Sequence, residues 1–180
     1  MERADKGLAF MMQYENVAWY DGGEVRILDR RVYPRQVSFV TCRTHGEVAQ
    51  ALTDMVTQST GPFTAAAMGM ALAAYECRTL PAGQQTAYLE QAMETISHAR
   101  PTTVARMKLI CGGCLEAAKK AIAAGVDDVA LAIRDYTVAT NNRRYDRVGQ
   151  MAVHLVDQIP DNGTVMTQCF GETIVAMMLR

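Results

Sequence analysis

The stretch FTAAAMGMALAAYE, residues 63–76, is small or apolar at almost every position. A helix with no polar face has no side to turn to water, so this one is expected inside the fold with other elements packed around it. Its glycine and alanines allow neighbouring backbones to approach closely. The preceding STGP, residues 59–62, reads as a loop, and Pro62 suits the first turn of a helix.

The rest of the chain is read outward from that helix. Residues 16–42 are β-rich: VAWY and VRIL flank DGGE, a turn tolerant of positive φ, which predicts a hairpin. Pro34 interrupts RRVYPRQ, and VSFVTC is a further strand candidate. Thr44 is a candidate N-cap with Glu47 as its capping-box partner. The helix it starts repeats Val48, Leu52, Met55 and Val56 at helical spacing. A third helix over about 84–98 carries Tyr88, Leu89, Met93 and Ile96 on one side. ARPTT interrupts it, because a residue before proline avoids αR. Helices are then expected from Thr102 to about Ala124, and from Asp127 or Asp128 to about Val156. QIPDNGT is a turn, VMTQC a strand over Val165–Thr167, and a last helix follows. The pattern is mainly α with a small N-terminal β-sheet (α+β). A boundary near Pro160 divides an N-terminal domain, 1–160, from an α/β unit, 161–180, that the chain does not complete.

Composition excludes several classes. With 18 basic and 19 acidic residues the net charge is −1, which argues against a dedicated nucleic-acid binder. No stretch of eighteen apolar residues lacks charge, so no membrane span is expected. The N-terminus mixes acids and bases and makes a poor signal peptide, which points to the cytoplasm. Five cysteines at irregular spacing fit reduced thiols better than a disulfide framework.

Four motifs bear on chemistry. CGGC at 111–114 lies inside an expected helix, with no second pair to complete a zinc site, and reads as small residues at a helix crossing. His45, His98 and His154 are far apart and show no metal-ligand spacing, so no metal is expected. ARPTTV sets Arg100 before Pro101, with Thr102 and Thr103 at a helix start. Free N–H groups, hydroxyls and a guanidinium there can hold an anion, although an ordinary helix cap explains the same residues. TQCFGE places Cys169 between a strand and a helix, as a reactive thiol or a buried structural one.

Taken together and in order, these segments resemble the methylthioribose-1-phosphate isomerase family. That family includes ribose-1,5-bisphosphate isomerases and the regulatory α, β and δ subunits of translation initiation factor 2B. VAWYDGGEVRILDRRVYP resembles the family's opening strand pair and its Leu-Asp-Gln-Arg-x-Leu-Pro segment, with Arg30 in place of Gln. TGPFTAAAMGMALAA resembles Arg-Gly-Ala-Pro-Ala-Ile-Gly and its Ala-rich helix, ARPTTV resembles Ser-Arg-Pro-Thr-Ala-Val, and NGTVMTQCFG resembles the Thr-His-Cys-Asn strand end. The resemblance runs from about Asn16 to Arg180.

The resemblance implies an N-terminal helical domain with a small sheet, followed by the first strand–helix unit of a Rossmann-like domain. It implies isomerisation of a C1-phosphorylated aldose such as (methylthio)ribose to a ketose, without metal or organic cofactor. Cys169 is then the acid/base thiol, and Arg100, Thr102, Thr103 and Gly61 belong to the phosphate site. Departures are Ser59 where the family has arginine, and Gln168 and Phe170 beside the cysteine. The family's catalytic aspartate falls beyond Arg180. Implied partners are a phosphorylated sugar, a complementary C-terminal chain or domain, and further copies in a homo-oligomer. The alternative is a non-catalytic, initiation-factor-2B-like protein that regulates or binds a sugar phosphate or nucleotide.

Overall fold

The computed structural model describes residues 3–167 and 171–179. In chain order the elements are a 3-10 turn at Phe10–Met12, α1 (Tyr14–Val17), β1 (Ala18–Asp21), β2 (Glu24–Leu28) and β3 (Phe39–Cys42). Then come α2 (His45–Thr53), α3 (Gly61–Glu76), α4 (Ala82–Ser97), a 3-10 turn at Pro101–Thr103, α5 (Val104–Ala123), α6 (Val129–Val156) and α7 (Glu172–Met178). The described chain is mostly helical, with one antiparallel sheet in the order β1-β2-β3.

The apolar stretch is α3, and it sits where its sequence requires. It packs against β1, β2, α2, α4, α5 and α6. Ala65, Ala66, Met68, Met70, Ala71, Leu72 and Ala73 have no exposed surface. Gly69 makes the approach of two neighbours possible. A Cβ there would lie 2.9 Å from Val48 Cγ1 of α2 and 3.1 Å from Ile96 Cδ1 of α4.

The expected hairpin forms with Ala18 opposite Ile27 and Asp21 opposite Glu24. Gly22 and Gly23 turn the chain at φ 53° and 89°, values that side-chain-bearing residues rarely adopt. Gly23 also lets the hairpin tip rest on α3, since a Cβ would meet the Tyr75 ring at 2.4 Å.

Helix ends follow their sequence signals. Thr44 Oγ1 accepts the Glu47 N–H at 3.1 Å. The Glu47 carboxylate reaches back to the Arg43 N–H, one residue outside the standard capping box. Asp128 caps α6 by accepting the Leu131 N–H at 2.9 Å. CGGC lies inside α5, with Cys111 and Cys114 buried. Gly113 makes room for the crossing helix, because a Cβ would lie 2.4 Å from the Tyr136 hydroxyl of α6.

A second, smaller core was not evident from periodicity. Leu8, Met12 and Tyr14 pack with Tyr145, Val148 and Ala152 of α6 and with Ala176 and Met177 of α7. Polar contacts fix this packing. The Tyr14 hydroxyl donates to Asn142 Oδ1 at 2.8 Å, and the Tyr14 N–H donates to Asp5 Oδ2 at 2.7 Å.

Three sequence expectations change. The helix expected to carry Met55 and Val56 ends at Thr53, because Met55 turns to φ 58° and breaks the helical backbone. The helix expected from Thr102 begins at Val104, after a 3-10 turn that Pro101 opens. The strand expected over Val165–Thr167 does not form. Val165 is 43% and Met166 94% exposed, and no described strand lies alongside to complete a ladder. A β-strand is defined by its partner, and an apolar triplet alone does not supply one.

Candidate functional site

Arg100 sits at the turn into α5. Its extended backbone, φ −131° and ψ 104°, is the conformation a following proline imposes. Pro101 has no N–H, and Thr103 directs both its N–H and its hydroxyl onto the Arg100 carbonyl, at 3.0 and 3.3 Å. Thr102 is exposed. Among the described residues the Arg100 guanidinium has no hydrogen-bond or ion-pair partner.

Gly61 opens α3 and is buried, with its N–H donated to the Gln58 carbonyl at 3.1 Å. A Cβ there would fall 2.0 Å from Thr57 Oγ1, so only glycine fits. The start of α3 is thus poor in free donors: Gly61 and Phe63 are engaged, and Pro62 has none. Ser59, where the resembled segment carries arginine, has φ 61°. Cys169, with Gln168 and Phe170, lies outside the described residues. Arg100, Thr102 and Thr103 share one turn, and Gly61 stands at the head of the neighbouring helix.

A cluster around Glu172 escaped the sequence reading. Glu172 begins α7 and is 3% exposed. It accepts hydrogen bonds from Arg144 and from the Tyr145 hydroxyl, each at 3.1 Å, and from the Thr60 hydroxyl. Burial raises the Tyr145 phenol, and the nearby Glu172 charge raises it further, which keeps Tyr145 a donor. Arg30 is half-buried here. Desolvation lowers its guanidinium, and Glu172 opposes that shift. The signal available in the sequence was an acid directly after Gly171, in the first turn of a helix.

Thr60 also lines a cleft of about 500 Å³ between α3, α5 and α6. Arg106, Arg144 and Arg147 contribute its charge, and Phe63, Ile110 and Met151 contribute apolar wall. Arg100, Thr102, Thr103 and Gly61 do not line it. Arg144 and Arg147, one helical turn apart on α6, were the sequence signal for it.

The thiols divide by environment. Burial pushes Cys42 up to about 11 and Cys114 up to about 12, and it raises Cys77 and Cys111 as well. These four are poor nucleophiles near neutral pH. Among the described residues no group of three or more His, Cys, Asp or Glu is placed to hold a metal ion. No described helix is long and apolar enough to cross a membrane.

No family model matches the chain. A methylthioribose-1-phosphate isomerase from Roseiflexus castenholzii is 30% identical over 155 residues, which is 84% of this chain and 44% of that protein. Among solved structures, the delta subunit of translation initiation factor eIF-2B from A. fulgidus superposes with a TM-score of 0.64 at 22% identity, covering 78% of this chain and 41% of that one. A 5-methylthioribose 1-phosphate isomerase from Pyrococcus horikoshii gives a TM-score of 0.57 at 20% identity, covering 91% and 49%. At these identities the two structures establish the fold alone. The chain spans less than half the length of each of these proteins.

Proposed function

Because this chain belongs to the methylthioribose-1-phosphate isomerase and initiation factor 2B family, we propose that it forms one half of an aldose–ketose isomerase site for a C1-phosphorylated ribose. The observation that carries the reading is the start of α5. In the segment ARPTTV the Arg100 guanidinium is unengaged beside exposed Thr102, while Thr103 holds the turn. An arginine presented in this way can take a phosphate through paired N–H donors.

In this reading Arg100 and Thr102 anchor the phosphate, and Gly61 keeps the head of α3 close enough to wall the site. Anchoring the phosphate fixes the sugar carbons relative to one acid/base group. Cys169 is that group. That role is what the resemblance of NGTVMTQCFG to the family's cysteine-bearing strand end implies, and the four described thiols, buried and raised, do not compete for it. Ring opening breaks the C1–O4 bond and protonates O4 while the phosphate stays on C1. Hydride then moves from C2 to C1 as the C2 hydroxyl gives up its proton, so C1 becomes the phosphate-bearing CH2 and C2 the ketone. The thiol serves one end of that transfer. A carboxylate from a complementary segment serves the other, and that segment completes a Rossmann-like domain after 160. The chain works as an oligomer in the cytoplasm and needs no cofactor.

The test is turnover of methylthioribose 1-phosphate and ribose 1,5-bisphosphate by the chain together with the C-terminal half of a relative. The expected outcome is ketose phosphate formation that falls by at least about a hundredfold in Cys169→Ala. Undiminished activity in that variant removes the thiol from the mechanism. A second reading, binding or regulation without turnover, is favoured by Ser59 and by the engaged N–H of Gly61. It predicts saturable sugar-phosphate binding with no product.

A further inference from the structure

The cleft between α3, α5 and α6 combines features that the reading above leaves unused. Its volume, about 500 Å³, is in the range of small-molecule sites. Arg106 of α5 and Arg144 and Arg147 of α6 line it, and among the described residues no carboxylate does. Among the described residues, of these three arginines only Arg144 has an acidic partner, Glu172 at 3.1 Å. That acid is already committed to Thr60 and Tyr145, so it does not offset the other two charges. In a chain of net charge −1 this is a local cationic focus.

Two further details bear on what the cleft can bind. Arg144 Nε is buried with no hydrogen-bond partner among the described residues, an arrangement native proteins rarely leave unmet. Leu109 and Met151 are 69% and 46% exposed at the same cleft, where apolar side chains gain nothing from water. The Arg106 guanidinium stands 5.8 Å from the centre of the Phe63 ring, within cation–π range.

We propose that this cleft binds a small organic oxyanion whose phosphate or carboxylate is held by Arg106, Arg144 and Arg147, with its apolar body against Phe63, Ile110 and Met151. A free inorganic anion uses only the arginines and leaves the apolar wall wet. A nucleic acid needs an extended basic stripe, and the cleft is a single concave site. Neither Arg100 nor Gly61 lines it, whereas Thr60 beside Gly61 and Thr173 of α7 do.

Calorimetric titration of the full chain with phenyl phosphate, benzoate, inorganic phosphate and phenol tests this. Phenyl phosphate or benzoate is expected to bind one to one, about tenfold or more tighter than inorganic phosphate or phenol, and the tighter of the two identifies the head group. Arg106→Ala and Arg147→Ala, both at exposed positions, are expected to weaken that binding at least about tenfold with the melting temperature unchanged. Arg100→Ala is expected to leave it unaltered, so failure here is separable from failure of the isomerase reading. Three results overturn the proposal. One is equal binding of inorganic phosphate and phenyl phosphate, and another is binding that survives loss of both arginines. The third is a self-associated chain that Met151→Asp dissociates and that excludes phenyl phosphate, because the cleft is then covered by a second copy.

Discussion

Glu76 shows how much of this fold hangs on single polar side chains. Its carboxylate accepts the His45 N–H at 2.6 Å, faces His45 Nδ1 at 2.9 Å and accepts the Tyr88 hydroxyl at 2.6 Å. One residue thereby joins the start of α2, the end of α3 and the face of α4. Burial works to raise the Glu76 carboxyl, but the bonds from His45 and Tyr88 outweigh it and hold it below its ordinary range. A carboxyl depressed in the folded state adds stability that is complete above its unfolded pKa and is lost as pH falls through the folded value. Glu76→Gln is therefore expected to lower stability by about 1–3 kcal/mol at neutral pH, with the difference from wild type shrinking as the pH drops below the carboxylate range. Urea unfolding at pH 7 and pH 4 measures it. A variant as stable as wild type at both values contradicts the assignment. Sequence reading took His45 as an isolated histidine, because its partner lies 31 residues away and nothing in the local pattern announces it.

At the scale of elements, the sequence was legible wherever the signal was local. The hairpin was readable from DGGE, the start of α2 from its Thr44 cap, and the burial of α3 from its lack of a polar face. Non-local packing was not readable. Residues 3–17 fold onto α6 through pairs such as Tyr14 and Asn142, 128 residues apart. The strand expected at 165–167 failed for the complementary reason, since apolar residues alone carry no information about a ladder partner. Because α3 is the element around which the rest is packed, its close approach to α2 and α4 at Gly69 is a sensitive point. Gly69→Ala gains up to about 1 kcal/mol of helix propensity but drives a methyl into Val48 and Ile96. The expected net is a loss of about 1–2 kcal/mol, read from the denaturation midpoint. A stabilised variant shows that α2 and α4 can retreat from α3.

For the whole molecule, the main core around α3 and the smaller core of the N-terminal segment, α6 and α7 meet near Thr60, whose hydroxyl ties the head of α3 to Glu172 of α7. For the candidate site, the sequence offered ARPTTV and Cys169 as candidates, from their residue types and from resemblance to a family; among the described residues the Arg100 guanidinium has no hydrogen-bond or ion-pair partner. The arginine cleft was not legible, because its charges come from two helices that only the fold brings together. The central claim is that the start of α5 holds a sugar phosphate, and both the isomerase and the binding reading require it. Calorimetric titration of methylthioribose 1-phosphate into the wild-type chain and into Arg100→Ala tests it most directly. The account predicts saturable one-to-one binding that weakens by about tenfold or more in the variant while its melting temperature holds. No binding to the wild type, or equal binding to both, contradicts it.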